Sequence, residues 1–87
     1  MIRAILYGTL GCHLCDVAEA LLAPLLPSLS EACGSDCEIE CIDIADDDAL
    51  LARYGETIPV LRRLNDDAEL RWPFDAVGAE AFLLDRA

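Results

Sequence analysis

The feature that most narrows what this chain can fold into is a change of hydrophobic period across a pair of cysteines. Ile2 to Tyr7 is a short and mostly apolar run, the pattern of a strand covered on both faces. From Leu14 onward the apolar residues fall at helical intervals, at Leu14, Val17, Ala18, Leu21, Leu22 and Leu25. Between the two patterns lies Leu10-Gly11-Cys12-His13-Leu14-Cys15-Asp16. Two cysteines three apart therefore sit where a strand ends and a helix begins. A helix start presents unpaired N–H groups and the positive end of the macrodipole, and both favour a thiolate. Three residues is close to one helical turn, so the second sulfur lies within reach of the first and a disulfide can close. Gly8 and Gly11 bracket the loop and let it bend tightly ahead of the cysteines.

The rest of the chain extends this start into an alternating pattern. Pro24 and Pro27 each remove a backbone donor, which predicts a kink near Ala23 and a looser helical stretch to about Ala32. Gly34-Ser35-Asp36 reads as a turn, and Cys37–Ile44 as a second strand with Ile39 and Cys41 on one face and Ile42 and Ile44 on the other. Strand, helix and strand in this order form a βαβ unit, so the two strands should be parallel with a right-handed crossover. The acidic run Asp46-Asp47-Asp48 supplies the cap of a short helix over Asp47–Tyr54, which Gly55 ends. Val60–Leu64 and Glu69–Trp72 form a hairpin around Asn65-Asp66-Asp67. A last helix over Phe74–Leu84 takes Asp75 as its cap and Phe74, Val77, Ala81 and Leu84 as its apolar stripe. The expected element order is β-α-β-α-β-β-α, one α/β domain over residues 1–87.

Charge decides which partners fit. The chain carries a net charge of −11, and its six basic residues are all arginine. Nucleic acid and anionic membrane both need a basic footprint, so neither is expected as a partner. A protein partner, if there is one, should bring a basic patch; otherwise the acidity is simply a solvated surface. The first ten residues are too short for a signal peptide, and Glu19, Pro24 and Pro27 interrupt the apolar stretch from Val17 to Leu29. A cytoplasmic setting is therefore expected. There a close cysteine pair is catalytic or metal-binding more often than structural.

The run Gly8-Thr9-Leu10-Gly11-Cys12-His13-Leu14-Cys15-Asp16, the later Thr57-Ile58-Pro59-Val60, and Trp72-Pro73-Phe74-Asp75 before the last helix together resemble the glutaredoxin-like branch of the thioredoxin superfamily. The resemblance implies a thioredoxin-like fold, a four-stranded mixed sheet in the order 2-1-3-4 with helices on both faces. It implies a monomeric thiol–disulfide oxidoreductase acting on a protein or small-molecule disulfide, with no cofactor beyond glutathione as a reductant. Cys12 would be an exposed nucleophile that forms a mixed disulfide, and Cys15 the thiol that resolves it. His13 stands where familiar glutaredoxins have proline, and its imidazolium would favour the Cys12 thiolate. Pro59 would be cis, leaving the N–H and C=O of Ile58 free to pair with an extended substrate, with Thr57 beside them. Asp75 would meet a glutathione amine at the start of the last helix. The sequence departs from glutathione-using relatives in lacking a basic residue before the motif and a Gly-Gly turn after the last strand. Arg53, Arg62 or Arg71 would have to receive a glutathione carboxylate, and a thioredoxin-reductase-type partner is an equal alternative.

Other classes of reading use the remaining cysteines. Cys12-x2-Cys15-x17-Cys33-x3-Cys37 approaches a four-cysteine zinc pattern, although a long intervening helix would hold the two pairs ~20 Å apart. An iron–sulfur cluster shared between two chains is a second alternative. A third is a thioredoxin-fold interaction module whose cysteines are idle. Cys33 and Cys37 flank a turn and are placed for a second, regulatory disulfide, while Cys41 reads as a small buried hydrophobe.

Overall fold

A computed structural model describes residues 2–34 and 36–84. Four strands, β1 (Ile2–Gly8), β2 (Cys37–Asp43), β3 (Val60–Arg63) and β4 (Glu69–Arg71), form one sheet in the order β2-β1-β3-β4. β1 and β2 are parallel, with Ile2 opposite Cys37 and Gly8 opposite Asp43. β3 runs antiparallel to both β1 and β4, with Tyr7 opposite Val60 and Val60 opposite Arg71.

The helices are α1 (His13–Leu22), α2 (Leu26–Cys33), α3 (Asp48–Tyr54) and α4 (Ala76–Leu83). The expected break near Ala23 is a 3-10 turn over Ala23–Leu25 that separates α1 from α2. Pro24 and Pro27 fall in the first turns of the 3-10 segment and of α2, where their missing N–H groups are not needed. Asp43 caps a second 3-10 turn over Ile44–Asp46, and Asp47 caps α3 by accepting from the N–H groups of Ala49 and Leu50. One carboxylate of the acidic run thus acts as the helix cap. Asp75 caps α4 through the N–H of Gly78 at 2.7 Å.

Alternation along β1 sends Ile2, Ala4 and Leu6 to one face, where they pack with Ala18, Leu22, Leu29, Ala79 and Leu83 from α1, α2 and α4. Tyr7 points to the other face and packs with Ile44, Tyr54 and Val60. The sheet is therefore buried on both sides, and each fully buried leucine contributes ~1.5–3 kcal/mol.

Two expected apolar stripes are corrected. On α4 the buried residues are Ala79 and Leu83, while Val77 stands exposed. Phe74 precedes the helix, which starts at Ala76, and with Leu84 it packs at the margin of the core rather than inside it. On α1 the buried residues are Cys15, Ala18 and Leu22, and both Leu14 and Val17 are exposed. The apolar stripe read from the sequence is wider than the face that the sheet covers. Readings that depend on Ser35 or on the Cys33 side chain lie outside the described residues. Among the described residues no helix is long and apolar enough to cross a membrane.

Candidate active site

The site forms where β1 ends and α1 starts. β1 leads into a loop in which Gly11 adopts φ +81°, a left-handed conformation that side-chain-bearing residues rarely accept. That turn delivers Cys12 to the N-cap of α1, with its backbone extended at φ −83° and ψ 108°. Cys12 and Cys15 are joined in a disulfide with their Cα atoms 5.2 Å apart. The Cys12 Sγ also accepts the backbone N–H of Cys15 at 3.2 Å, the position a serine or aspartate oxygen takes in an ordinary N-cap. A thiolate on Cys12 would keep this donor and gain the helix dipole.

The two sulfurs are not equivalent. Cys15 is buried, and Cys12 is half-buried rather than fully exposed as expected, though it remains the more accessible of the two. Cys15 is pressed against β1: a Cβ added at Gly8 would lie 3.0 Å from the Cys15 sulfur and 3.1 Å from its Cβ. His13, the first residue of α1, is exposed beside Cys12.

The loop between α3 and β3 arrives beside the end of β1, where Val60 pairs with Tyr7. The Ile58–Pro59 bond is cis, and Pro59 leads into β3 next to the end of β1. The carbonyl of Pro59 accepts the N–H of Trp72 at 3.2 Å, which ties the loop to the hairpin. One expectation fails here. The N–H of Ile58 is not free, because it donates to the Tyr54 carbonyl at 3.1 Å. The same carbonyl accepts the N–H of Thr57 at 2.9 Å and the Thr57 hydroxyl at 3.3 Å. A helix leaves its last carbonyls unpaired, and the loop after α3 folds back to satisfy one of them.

Tyr54 itself is clamped. Its ring stacks on Tyr7 with centroids 4.4 Å apart, its hydroxyl donates to Glu69, and the Arg53 guanidinium lies over the ring. Burial, together with the bond to Glu69, pushes the Tyr54 phenol up to about 12. Arg62 donates to the Tyr7 hydroxyl at 3.1 Å and to Asp67 at 2.8 Å. This support was invisible in the sequence as a network.

The proposed glutathione contacts are mostly engaged elsewhere. Arg53 pairs with Glu69 at 3.6 Å and Arg62 with Asp67, while Arg71 is exposed on the edge strand β4. Asp75 caps α4, and the Trp72–Pro73 bond before it is also cis.

Cys41 is exposed rather than buried, because β2 is an edge strand. It shares with Cys15 a cleft of about 210 Å³ between α1 and the ends of β1 and β2. Partial burial, aided by the Glu19 carboxylate, raises its thiol pKa. The zinc pattern does not assemble. Cys37 pairs with Ile2 at the far end of β1, six residues or ~20 Å from Gly8, where Cys15 sits. Among the described residues no three His, Cys, Asp or Glu side chains converge to hold a metal ion.

A mixed sheet in the order β2-β1-β3-β4, with a disulfide-linked cysteine pair at the first helix start and a cis-proline at the head of β3, defines a thioredoxin-superfamily protein of glutaredoxin-like architecture. Residues 3–83 match the family described as Glutaredoxin-like domain (DUF836), and the chain belongs to that family. It is similar to the structural-genomics target protein XcR50 from X. campestris. The X-ray structure of that protein is 36% identical with a TM-score of 0.74, covering 97% of this chain and 99% of that one. Its solution structure gives a TM-score of 0.71 over 100% and 97% of the two chains. Protein Ne2328 from Nitrosomonas europaea, solved by NMR, is 32% identical with a TM-score of 0.66, covering 94% of this chain and 91% of that one. No curated protein matches the chain.

Proposed function

We propose that the protein is a thiol–disulfide oxidoreductase that reduces disulfides through Cys12 and Cys15. The observation that carries the reading is the asymmetric pair at the α1 N-cap: an accessible sulfur that already accepts a helix N–H, bonded to a buried one a turn deeper.

In the dithiol form the Cys12 thiolate attacks one sulfur of the substrate disulfide. A new bond forms between Cys12 and the substrate, and the other substrate sulfur leaves as a thiolate and takes a proton. Cys15 then loses its proton and attacks the Cys12 sulfur. The Cys12–Cys15 bond forms, the substrate's second thiolate departs, and two electrons have passed from the protein to the substrate. The sulfurs store both electrons, so the exchange itself uses no metal or organic cofactor. A second dithiol, or two glutathione thiols, restores the reduced pair. His13 beside Cys12 tunes the thiolate, and Thr57, Ile58 and Pro59 shape the groove that receives the substrate. A substrate carbonyl that pairs with the Ile58 N–H displaces that N–H from Tyr54, whose carbonyl keeps Thr57 as a donor.

Three variants, each with its own readout, test this. Cys12→Ser should abolish reduction of a disulfide substrate, while Cys15→Ser should accumulate a mixed disulfide visible by intact mass. His13→Pro should shift the pair to a more reducing potential in glutathione buffers of known ratio. Retained turnover in Cys12→Ser would reverse the assignment of roles.

A further inference from the structure

Three apolar side chains beside the disulfide find no place in the core. Leu10 is 90% exposed, Leu14 45% and Val17 38%. Leu10 precedes Cys12 by two residues, and Leu14 and Val17 lie on the first turns of α1. Leu10 also lines the cleft that Cys15 and Cys41 share, together with apolar Leu6 and Ile42. Three carboxylates line the same cleft: Asp16, Glu19 and Asp43. A space with an apolar lining and a carboxylate margin matches a side chain that has an aliphatic stem and a cationic head.

Among the described residues no arginine on this side of the site offsets the negative charge. Arg62 and Arg63 are paired with Asp67 and Asp66 in the turn after β3, Arg53 with Glu69, and Arg3 with Glu38 at the opposite end of β1. Arg71 belongs to β4, three strands away from β2 across the sheet. The whole chain carries −11. Glutathione carries two carboxylates and one ammonium and is repelled by such a surface, whereas a basic segment is drawn to it.

Building on the reading of Cys12 and Cys15 as the exchanging pair, we propose that the substrate is a protein disulfide in which one cysteine is flanked by an aliphatic residue and by lysine or arginine. The aliphatic neighbour packs on Leu10 at the rim of the cleft, and the basic side chain enters the cleft beside Cys15.

The test uses the reduced full chain and three oxidised substrates. One is a disulfide peptide with leucine and arginine next to cysteine, the second is the same peptide with glutamate for arginine, and the third is glutathione disulfide. Each rate is divided by the rate with dithiothreitol, which removes the substrate's own reactivity. At about 20 mM salt the basic peptide should be reduced about tenfold faster than the acidic one, and the gap should narrow severalfold at about 500 mM. The double variant Asp16→Asn, Glu19→Gln should shrink the gap. Glu31→Gln, Asp36→Asn removes the same charge around the start of β2, at the other end of the sheet, and should preserve most of the gap. Thermal melts of both variants establish that they fold. Equal normalised rates for the two peptides, fastest reduction of glutathione disulfide, or equal effects of the two double variants would each overturn the proposal. The exchange reading fails separately: it falls if Cys12 and Cys15 form no reversible disulfide with dithiothreitol.

Discussion

Gly8 is where the backbone of β1 and the disulfide meet. The missing side chain lets Cys15 come within 3.0–3.1 Å of the place a Cβ would occupy. Cys15 cannot easily retreat, since it is buried and tied to Cys12. Gly8→Ala should therefore push α1 outward or twist Cys15 from its position, at a cost of ~1–3 kcal/mol typical of overpacking. Chemical denaturation of the oxidised and reduced forms checks this. The loss should be larger in the oxidised form, where Cys15 is least free to move, and an equal loss in both forms would place the clash elsewhere. At this scale the sequence was only partly legible. It showed that Gly8 and Gly11 loosen the approach to the motif, and Gly11 does take a positive φ. The role of Gly8 is one of distance to a residue seven positions later, which no local pattern encodes.

α3 is a seven-residue helix whose position is fixed from both of its ends. Asp47 caps its start, and Tyr54 anchors its end through the ring stacked on Tyr7 and the hydroxyl bonded to Glu69 on β4. The Tyr54 carbonyl holds the Thr57–Ile58 loop, so this helix end also positions the cis-proline that leads into β3. The folded state holds the phenol up to about 12 against an ordinary value of 10.0. A raised folded pKa means that its stabilising contribution is complete below pH ~10 and is lost as pH climbs toward 12. Tyr54→Phe should lower stability at neutral pH by roughly 1–3 kcal/mol, because the hydroxyl's bond to a carboxylate is gone. It should also flatten the decline in stability expected of the wild type between pH 10 and 12. Urea titrations at several pH values measure both effects, and a parallel decline in the two proteins would remove Tyr54 as the cause. Element order, the break at the prolines and the caps Asp47 and Asp75 were readable because capping and proline chemistry are local. The exposed faces of α1 and α4 were not. Which apolar residues a helix buries depends on how it rotates against the sheet, and on α1 the excess, Leu14 and Val17, stayed in solvent.

For the molecule as a whole, charge is the governing influence. The chain measures 36 × 24 × 21 Å and carries −11. The screening length is about 30 Å at 0.01 M salt and about 8 Å at 0.15 M. At low salt the carboxylates therefore repel one another across nearly the entire protein, and at physiological salt only across local patches. Among the described residues four arginine–carboxylate pairs pull the other way; three of them include a largely exposed partner, contribute little and are screened as well, and only buried Arg63 grips its carboxylate, Asp66, with two nitrogens. Net repulsion should win, and the thermal midpoint should rise as salt is added through this range. The same addition should slow reduction of a basic peptide, since there the charges attract. Opposite responses of stability and rate to one variable would separate the molecule's self-repulsion from its recognition of a partner. If both quantities moved together with salt, the charge would act on the fold alone, and the acidic surface would be only a solvated one.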